Sequence, residues 1–325
     1  MPLNPGIEDD QNVIWQYGRG EGIKQTLKNG AQIIKDSTFK ALFPIQKDVS
    51  EWMGDVQLLR PGQALISKQQ IEALPPRLQP GDIFLERREW FLSNIGLPGY
   101  WPHAALYIGT LDERNAYFQT EEIATWVKSQ GVSDGLFESL LKQRYPEAYA
   151  QSLKAPEPGH LSRLIEAVSE GVLFTSLEHS AAADALAVLR PKLSRLEKAK
   201  AILQAFRYIG RPYDFNFDFR TDRELVCTEL VYKAYEPNTN KVGISLPVAE
   251  ILGRLATPAN LIAKQFDQNY ETSAQQLDLV LFLDGQEQEG VARESDLKSF
   301  RQSWKRPKWH IITQGGALDR ESWLQ

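Results

Sequence analysis

The stretch PHAALYIG at residues 102–109 sets His103 at the head of an apolar run that Gly109 ends. Short apolar runs bounded by Pro and Gly are typical of buried β-strands, so we predict a strand over residues 104–108. A lone histidine beside such a run is more often structural than functional. This stretch alone therefore predicts a strand and leaves His103 open between packing and catalysis.

A second stretch, LVCTELVY at residues 225–232, contains Cys227, the single cysteine of the chain. Apolar residues recur on one side of residues 225–235, which predicts a helix with Cys227 near its start. Free N–H groups and the helix dipole favour a thiolate at such a position. The sequence TDRE at residues 221–224 resembles a capping box, which would start the helix earlier and weaken this effect. Cys227 is thus either a reactive thiol or a buried apolar residue.

Glu166 interrupts a third apolar run, residues 164–168, which we also predict to be a strand. A carboxylate in the middle of a short strand must face solvent or a partner, because burying it unpaired is costly. Both interpretations stay open for this residue taken alone.

The order of elements along the chain is irregular, which favours an α+β arrangement over a doubly wound parallel sheet. Further strands are predicted at residues 83–85, 172–177, 185–189 and 277–283, and further helices at residues 22–35, 50–58 and 194–208. Residues 257–266 form an element of uncertain type.

Composition and motifs exclude several classes of protein. A net charge of -5 makes nucleic acid a poor partner. One cysteine excludes an intrachain disulfide and a cysteine-based metal site, and the histidines do not share ligand spacing. No phosphate-binding loop, Gly-x-Ser-x-Gly elbow or His-Glu-x-x-His helix occurs. We therefore expect no cofactor and no metal ligand.

The sequence contains no pattern of a membrane or secreted protein. It has no apolar stretch of about 18 residues and no signal-peptide pattern at its start. We expect no transmembrane segment and, by default, a cytoplasmic location. The oligomeric state is left open.

Seven short motifs in a fixed order resemble the circularly permuted branch of the NlpC-type papain-like superfamily, which includes the lecithin retinol acyltransferase relatives. The motifs are PGDIF (80–84), PHAALYIG (102–109), IEA (165–167), GV (171–172), AVLRP (187–191), GRPYDF (210–215) and LVCTELVY (225–232). In this branch the histidine precedes the polar residue and the cysteine, as it does here. The resemblance spans roughly residues 78–236.

The resemblance implies a role for each matching residue. Cys227 is the implied nucleophile, His103 the general base and Glu166 the residue that orients the imidazole. Tyr213 matches a tyrosine whose hydroxyl helps to form the oxyanion hole, although a half-buried packing role is equally open. Asp82 and Glu229 are expected to be structural, Asp82 through a turn hydrogen bond and Glu229 through an ion pair.

The implied fold is a permuted papain-like α+β domain, with an antiparallel sheet packed against helices that include the cysteine helix. We assign it to residues 76–270, with a helical insert at about 120–155 for which a lid role is open. Residues 1–75 are predicted to be a mainly helical N-terminal extension, and residues 271–325 a C-terminal extension that packs on the core.

The implied activity is that of a cysteine hydrolase that cleaves a peptide or isopeptide-like amide through a Cys227 thioester. A lipid acyltransferase or esterase using the same triad is an alternative, since Trp90, Phe91, Tyr100 and Trp101 flank the histidine strand and suit an acyl chain. The partner is thus a peptide-like or an acyl-lipid substrate. A catalytically silent binding module is the remaining alternative.

Overall fold

The computed structural model describes residues 63–88, 99–168, 170–212, 227–251 and 254–306. The strands in chain order are β1 (Ile83–Arg87), β2 (His103–Tyr107), β3 (Ser162–Val168), β4 (Gly171–Ser176), β5 (Ala185–Pro191), β6 (Ala249–Ile251), β7 (Arg254–Ala256), β8 (Leu277–Gln286) and β9 (Val291–Glu294). Seven of them form one sheet in the order β4-β3-β2-β1-β5-β8-β9, and β6 and β7 form a separate hairpin. Every neighbouring pair is antiparallel.

Helices lie on both sides of this sheet. They are α1 (Lys68–Glu72), α2 (Leu111–Phe118), α3 (Glu121–Ser129), α4 (Phe137–Arg144), α5 (Pro146–Ser152), α6 (Leu177–Ser180), α7 (Arg195–Phe206), α8 (Cys227–Tyr235), α9 (Ala259–Asn269) and α10 (Leu297–Ser303). None of the helices in the described ranges has the length and apolar character needed to span a bilayer.

Both faces of the sheet are buried because successive side chains of a strand point to opposite sides. In β1, Ile83 and Leu85 belong to the larger apolar cluster, whereas Phe84 belongs to the smaller one. Residues of α3, α4, α7 and α8 complete the larger cluster, and residues of α1 and α6 complete the smaller one. The central strands therefore carry buried apolar residues on both faces, and a fully buried charged residue within them is conspicuous.

The cysteine helix α8 is fixed to the sheet by its C-terminal half. Leu230, Val231 and Ala234 are fully buried in the larger cluster. The hydroxyl of Tyr235, which is also fully buried, donates a hydrogen bond to the carbonyl oxygen of Gly81 in the turn before β1. These contacts set the distance of the helix start from the strands.

The turn before β1 is held by Asp82, as expected from the sequence. One carboxylate oxygen accepts a hydrogen bond from the Gln79 backbone N–H at 2.8 Å. Arg190 in β5 also donates to both carboxylate oxygens, at 2.8 Å and 2.7 Å. Asp82 is fully buried, so this ion pair ties the turn to the middle of the sheet.

The structure confirms the α+β class and the antiparallel sheet. The insert predicted at 120–155 is helical and begins earlier, with α2, and its buried residues pack in the larger cluster. The strand predicted at 172–177 ends at Ser176, where that side chain caps α6. The uncertain element at 257–266 is the helix α9. The helices predicted at 22–35 and 50–58 lie outside the described residues.

The segment after residue 270 contributes to the main sheet. Strand β8 pairs with β5, and β9 pairs with β8. Helix α10 covers the larger cluster with Phe300, which is fully buried. The predicted boundaries at residues 75 and 270 stay predictions.

Substituting Asp82→Ala is expected to lower the free energy of unfolding by about 3 kcal/mol, because it leaves Arg190 without its buried partner. Asp278→Ala is the matched control, since its pair with Lys192 is 3.9 Å long and exposed, and we expect a change below about 1 kcal/mol. Urea unfolding measures both variants. Equal losses in the two would contradict the structural role assigned to Asp82.

Candidate active site

His103 and Glu166 lie on neighbouring strands and are hydrogen-bonded to each other. His103 is the first residue of β2, and Glu166 lies within β3. The Nε2 atom of His103 is 2.9 Å from Oε2 of Glu166. Both residues alternate with members of the larger cluster, which places their side chains on the side of the sheet covered by α6. The partner left open for Glu166 in the sequence is thus an imidazole.

Two hydroxyl groups hold the other oxygen of Glu166. Thr175 of β4 donates to Oε1 at 2.5 Å, and Ser180 of α6 donates to the same oxygen. Burial of this fully enclosed carboxylate would raise its pKa, but the hydrogen bond and charge of His103 lower the pKa to about 2. Glu166 is therefore an ionised acceptor that binds the imidazole with one oxygen and two hydroxyl groups with the other.

Cys227 meets His103 at the start of β2. The Sγ atom lies 4.0 Å from the carbonyl oxygen of Pro102 and accepts hydrogen bonds from the backbone N–H groups of Ala104 and Thr228. Burial would raise the pKa of the thiol, which is 3% exposed. The charge of His103, its hydrogen bond to the sulfur and the two N–H groups outweigh burial and lower the pKa of Cys227.

The pKa of the imidazole shifts in the opposite direction. Burial would lower the pKa of His103, but the Cys227 thiolate and the hydrogen bonds to Cys227 and Glu166 raise that pKa well above its usual value. A lowered thiol pKa and a raised imidazole pKa favour a thiolate–imidazolium pair between them. The side chain of His103 is 21% exposed, so the imidazole has access to solvent.

Glu86 is a third ionisable residue of the site, and the sequence analysis did not single it out. It lies in β1 directly opposite His103 in the antiparallel register. It is fully buried, and one of its oxygens lies within 4.8 Å of ligand atoms of His103 and Glu166. The sequence did contain an indication of it. Glu86 directly follows the apolar run of residues 83–85, just as Glu166 lies within the apolar run of residues 164–168.

Glu86, His103 and Glu166 come nearest to a metal-binding arrangement among the described residues. Two carboxylates and an imidazole are suitable ligand types for a divalent cation. However, the His103 nitrogen and the Glu166 oxygen are already joined at 2.9 Å. The geometry favours a charge-coupled hydrogen-bond network, and we identify none of the three as a metal ligand.

The structure does not describe every remaining candidate from the sequence. Tyr213 falls outside the described residues. Glu229 is fully buried in α8. The side chains of His160 and His179 are partly exposed and pair with Glu178 and Glu157, respectively.

An antiparallel sheet with a cysteine helix against it, and a histidine strand that precedes that helix in the chain, defines a permuted papain-like cysteine hydrolase. A family model described as permuted papain-like amidase enzyme, YaeF/YiiX, C92 family, matches residues 77–291. The chain belongs to this family. It is accordingly a thiol-dependent hydrolase of the amidase class, and the silent binding module is set aside.

Similarity to a solved structure is low. A solved structure described as metalloprotein yiiX from Escherichia coli O157:H7 shares 18% sequence identity with the chain. The alignment covers 62% of this chain and 89% of that one, with a TM-score of 0.34. No curated protein sequence matches the chain.

Replacing Glu166 by Gln is expected to lower the pKa of His103 by about 1 to 3 units, because the negative charge that stabilises the imidazolium is removed. NMR titration of the imidazole resonances measures this directly. Glu157→Gln, which alters the carboxylate beside His179, is the matched control and is expected to leave the His103 midpoint unchanged. An unchanged midpoint in the Glu166 variant would rule out the orienting carboxylate.

Proposed function

We propose that the chain hydrolyses a peptide or isopeptide-like amide bond through a thioester on Cys227. The observation that supports this most strongly is the 2.9 Å hydrogen bond between Glu166 and His103, together with a Cys227 thiol close enough to His103 for each group to shift the pKa of the other. A buried sulfur with a lowered pKa, held next to an imidazole with a raised pKa, has the properties of an activated nucleophile.

In the first half of the reaction, the Cys227 thiolate attacks the amide carbonyl carbon, and the carbonyl π electrons move to the oxygen. The imidazolium of His103 then transfers its proton to the amide nitrogen. The carbon–nitrogen bond breaks, the amine leaves, and the acyl group remains on sulfur as a thioester. Glu166 keeps the ring aligned during this transfer.

In the second half, the now neutral His103 takes a proton from water as the water oxygen attacks the thioester carbonyl. The carbon–sulfur bond breaks and a carboxylic acid leaves. The sulfur departs as the thiolate, so the thiolate–imidazolium pair is restored without a net change in protons on the enzyme. Water is the only co-substrate required.

The transient oxyanion requires hydrogen-bond donors. Backbone N–H groups at the start of α8 are suitable because they carry the positive end of the helix dipole. We assign the second donor to the Tyr213 hydroxyl on the basis of the superfamily resemblance.

An amide substrate is favoured over a lipid ester by two observations. The family to which the chain belongs is described as amidase. In addition, Tyr100 and Trp101, whose aromatic character suggested an acyl-chain site, are fully buried. Trp101 packs against Phe282 and Phe300 in the core, so it supplies no surface for a ligand. Trp90 and Phe91 lie outside the described residues.

Replacing Cys227 by Ala is expected to lower the rate of amide hydrolysis by at least about a thousandfold while the protein stays folded, because the nucleophile is lost but little volume is removed. Release of a fluorescent amine from a panel of peptidyl amides measures turnover, and circular dichroism checks the fold. Hydrolysis at the wild-type rate in this variant would refute the thioester mechanism.

Acyl probes with a thiol-reactive group are expected to label Cys227 faster when they carry a peptide than when they carry a fatty acyl chain. Mass spectrometry of the labelled protein identifies the modified residue. The Cys227→Ala variant controls for non-specific labelling. Faster labelling by the fatty acyl probe would favour the lipid acyltransferase or esterase alternative instead.

A further inference from the structure

We infer that Glu86 is a positioning residue of this site, whose buried carboxyl group acts on the imidazole of His103 when it is ionised. The inference rests on the proposed function and adds a fourth side chain to the triad. Nothing in the sequence resemblance assigns a role to this position.

The sheet places Glu86 beside the triad. Residue 86 of β1 is the cross-strand partner of His103 in β2, and directly opposed side chains on one face of an antiparallel pair are close neighbours. One Glu86 oxygen, one His103 nitrogen and one Glu166 oxygen all lie within 4.8 Å of one another. Two fully buried carboxyl groups thus flank a single, partly exposed imidazole.

Three ordinary roles for a buried glutamate fit Glu86 poorly. Its Oε1 atom has no hydrogen-bond partner among the described residues. Its Oε2 atom lies 3.4 Å from an Arg88 nitrogen, which is a long ion pair, and that arginine also donates to backbone carbonyl oxygens of α6. Glu86 is 0% exposed, which excludes direct contact with substrate in this conformation. The oxygens of a buried carboxylate with a purely structural role normally have hydrogen-bond partners.

The surroundings of Glu86 favour its protonated form near neutral pH. Burial, followed by the charge of Glu166, raises the pKa of Glu86 to about 8, against the lowering effects of His103 and Arg88. From β5, Glu86 faces the apolar side chain of Leu186 in register. The charged groups that act on Glu86 are therefore Glu166 from β3, His103 from β2 and Arg88 at the end of β1.

The consequence for catalysis has a definite sign. Below about pH 8, neutral Glu86 leaves Glu166 as the one ionised carboxylate beside the imidazole, in addition to the Cys227 thiolate. Above that pH, ionised Glu86 adds a second negative charge that raises the pKa of His103. The imidazolium, and with it the proton donor for the leaving amine, then persists to a higher pH than Glu166 alone would allow.

The experiment compares the wild type with Glu86→Gln, which keeps the shape of the neutral acid but cannot ionise. NMR titration of His103 is expected to show a midpoint lower by about one pH unit in this variant, because one charge at close range is missing. The alkaline limb of the pH dependence of Cys227 alkylation by iodoacetamide is expected to move in the same direction. A carboxyl resonance that titrates near pH 8 in the wild type should be absent from the variant.

Glu86→Asp, which retains the charge, is expected to keep the His103 midpoint closer to that of the wild type, and urea unfolding verifies that both variants fold. An unchanged His103 midpoint in Glu86→Gln, or equal midpoints in the Gln and Asp variants, would overturn the inference. These results are independent of the Cys227→Ala assay. If the proposed function is wrong, the Cys227→Ala assay shows it. If only the inference about Glu86 is wrong, the acyl probes still label Cys227 of the wild type.

Discussion

The contact between Cys227 and His103 is the interaction on which the site depends. It joins the first described residue of α8 to the first residue of β2, and neither residue would be activated alone. A buried thiol without a cation has a raised pKa, and a buried imidazole without an anion has a lowered one. Each group reverses the effect of burial on the other, and Glu166 fixes the geometry in which this occurs.

The sheet and the helix α8 together position the residues of this contact. The neighbouring strands β2 and β3 hold the imidazole and its carboxylate within hydrogen-bonding distance, and Tyr235 anchors the far end of α8 to the turn before β1. The insert between β2 and β3 packs against the larger apolar cluster and leaves this arrangement undisturbed. The chain order of histidine before cysteine is therefore compatible with a papain-like site, because the sheet and the helix can pack together whichever of them comes first in the sequence.

Local patterns predicted most of the described elements. Apolar runs predicted the strands around Phe84, His103 and Glu166, and the resemblance linked three side chains that were individually ambiguous. The cross-strand register was not accessible from local patterns, since it arises from pairing between distant segments. For this reason Glu86, which becomes significant only when it is opposite His103, was missed. The hydroxyl groups of Thr175 and Ser180 were missed because their role depends on the same pairing.

Ultraviolet difference absorbance of the Cys227 thiolate, recorded for the wild type against a Cys227→Ser variant over a pH series, tests the central claim most directly. With an ion pair at the site, the thiolate signal is present at neutral pH and has a midpoint well below the ordinary thiol value of about 8.5. A midpoint at or above that value would contradict the pairing of Cys227 with His103.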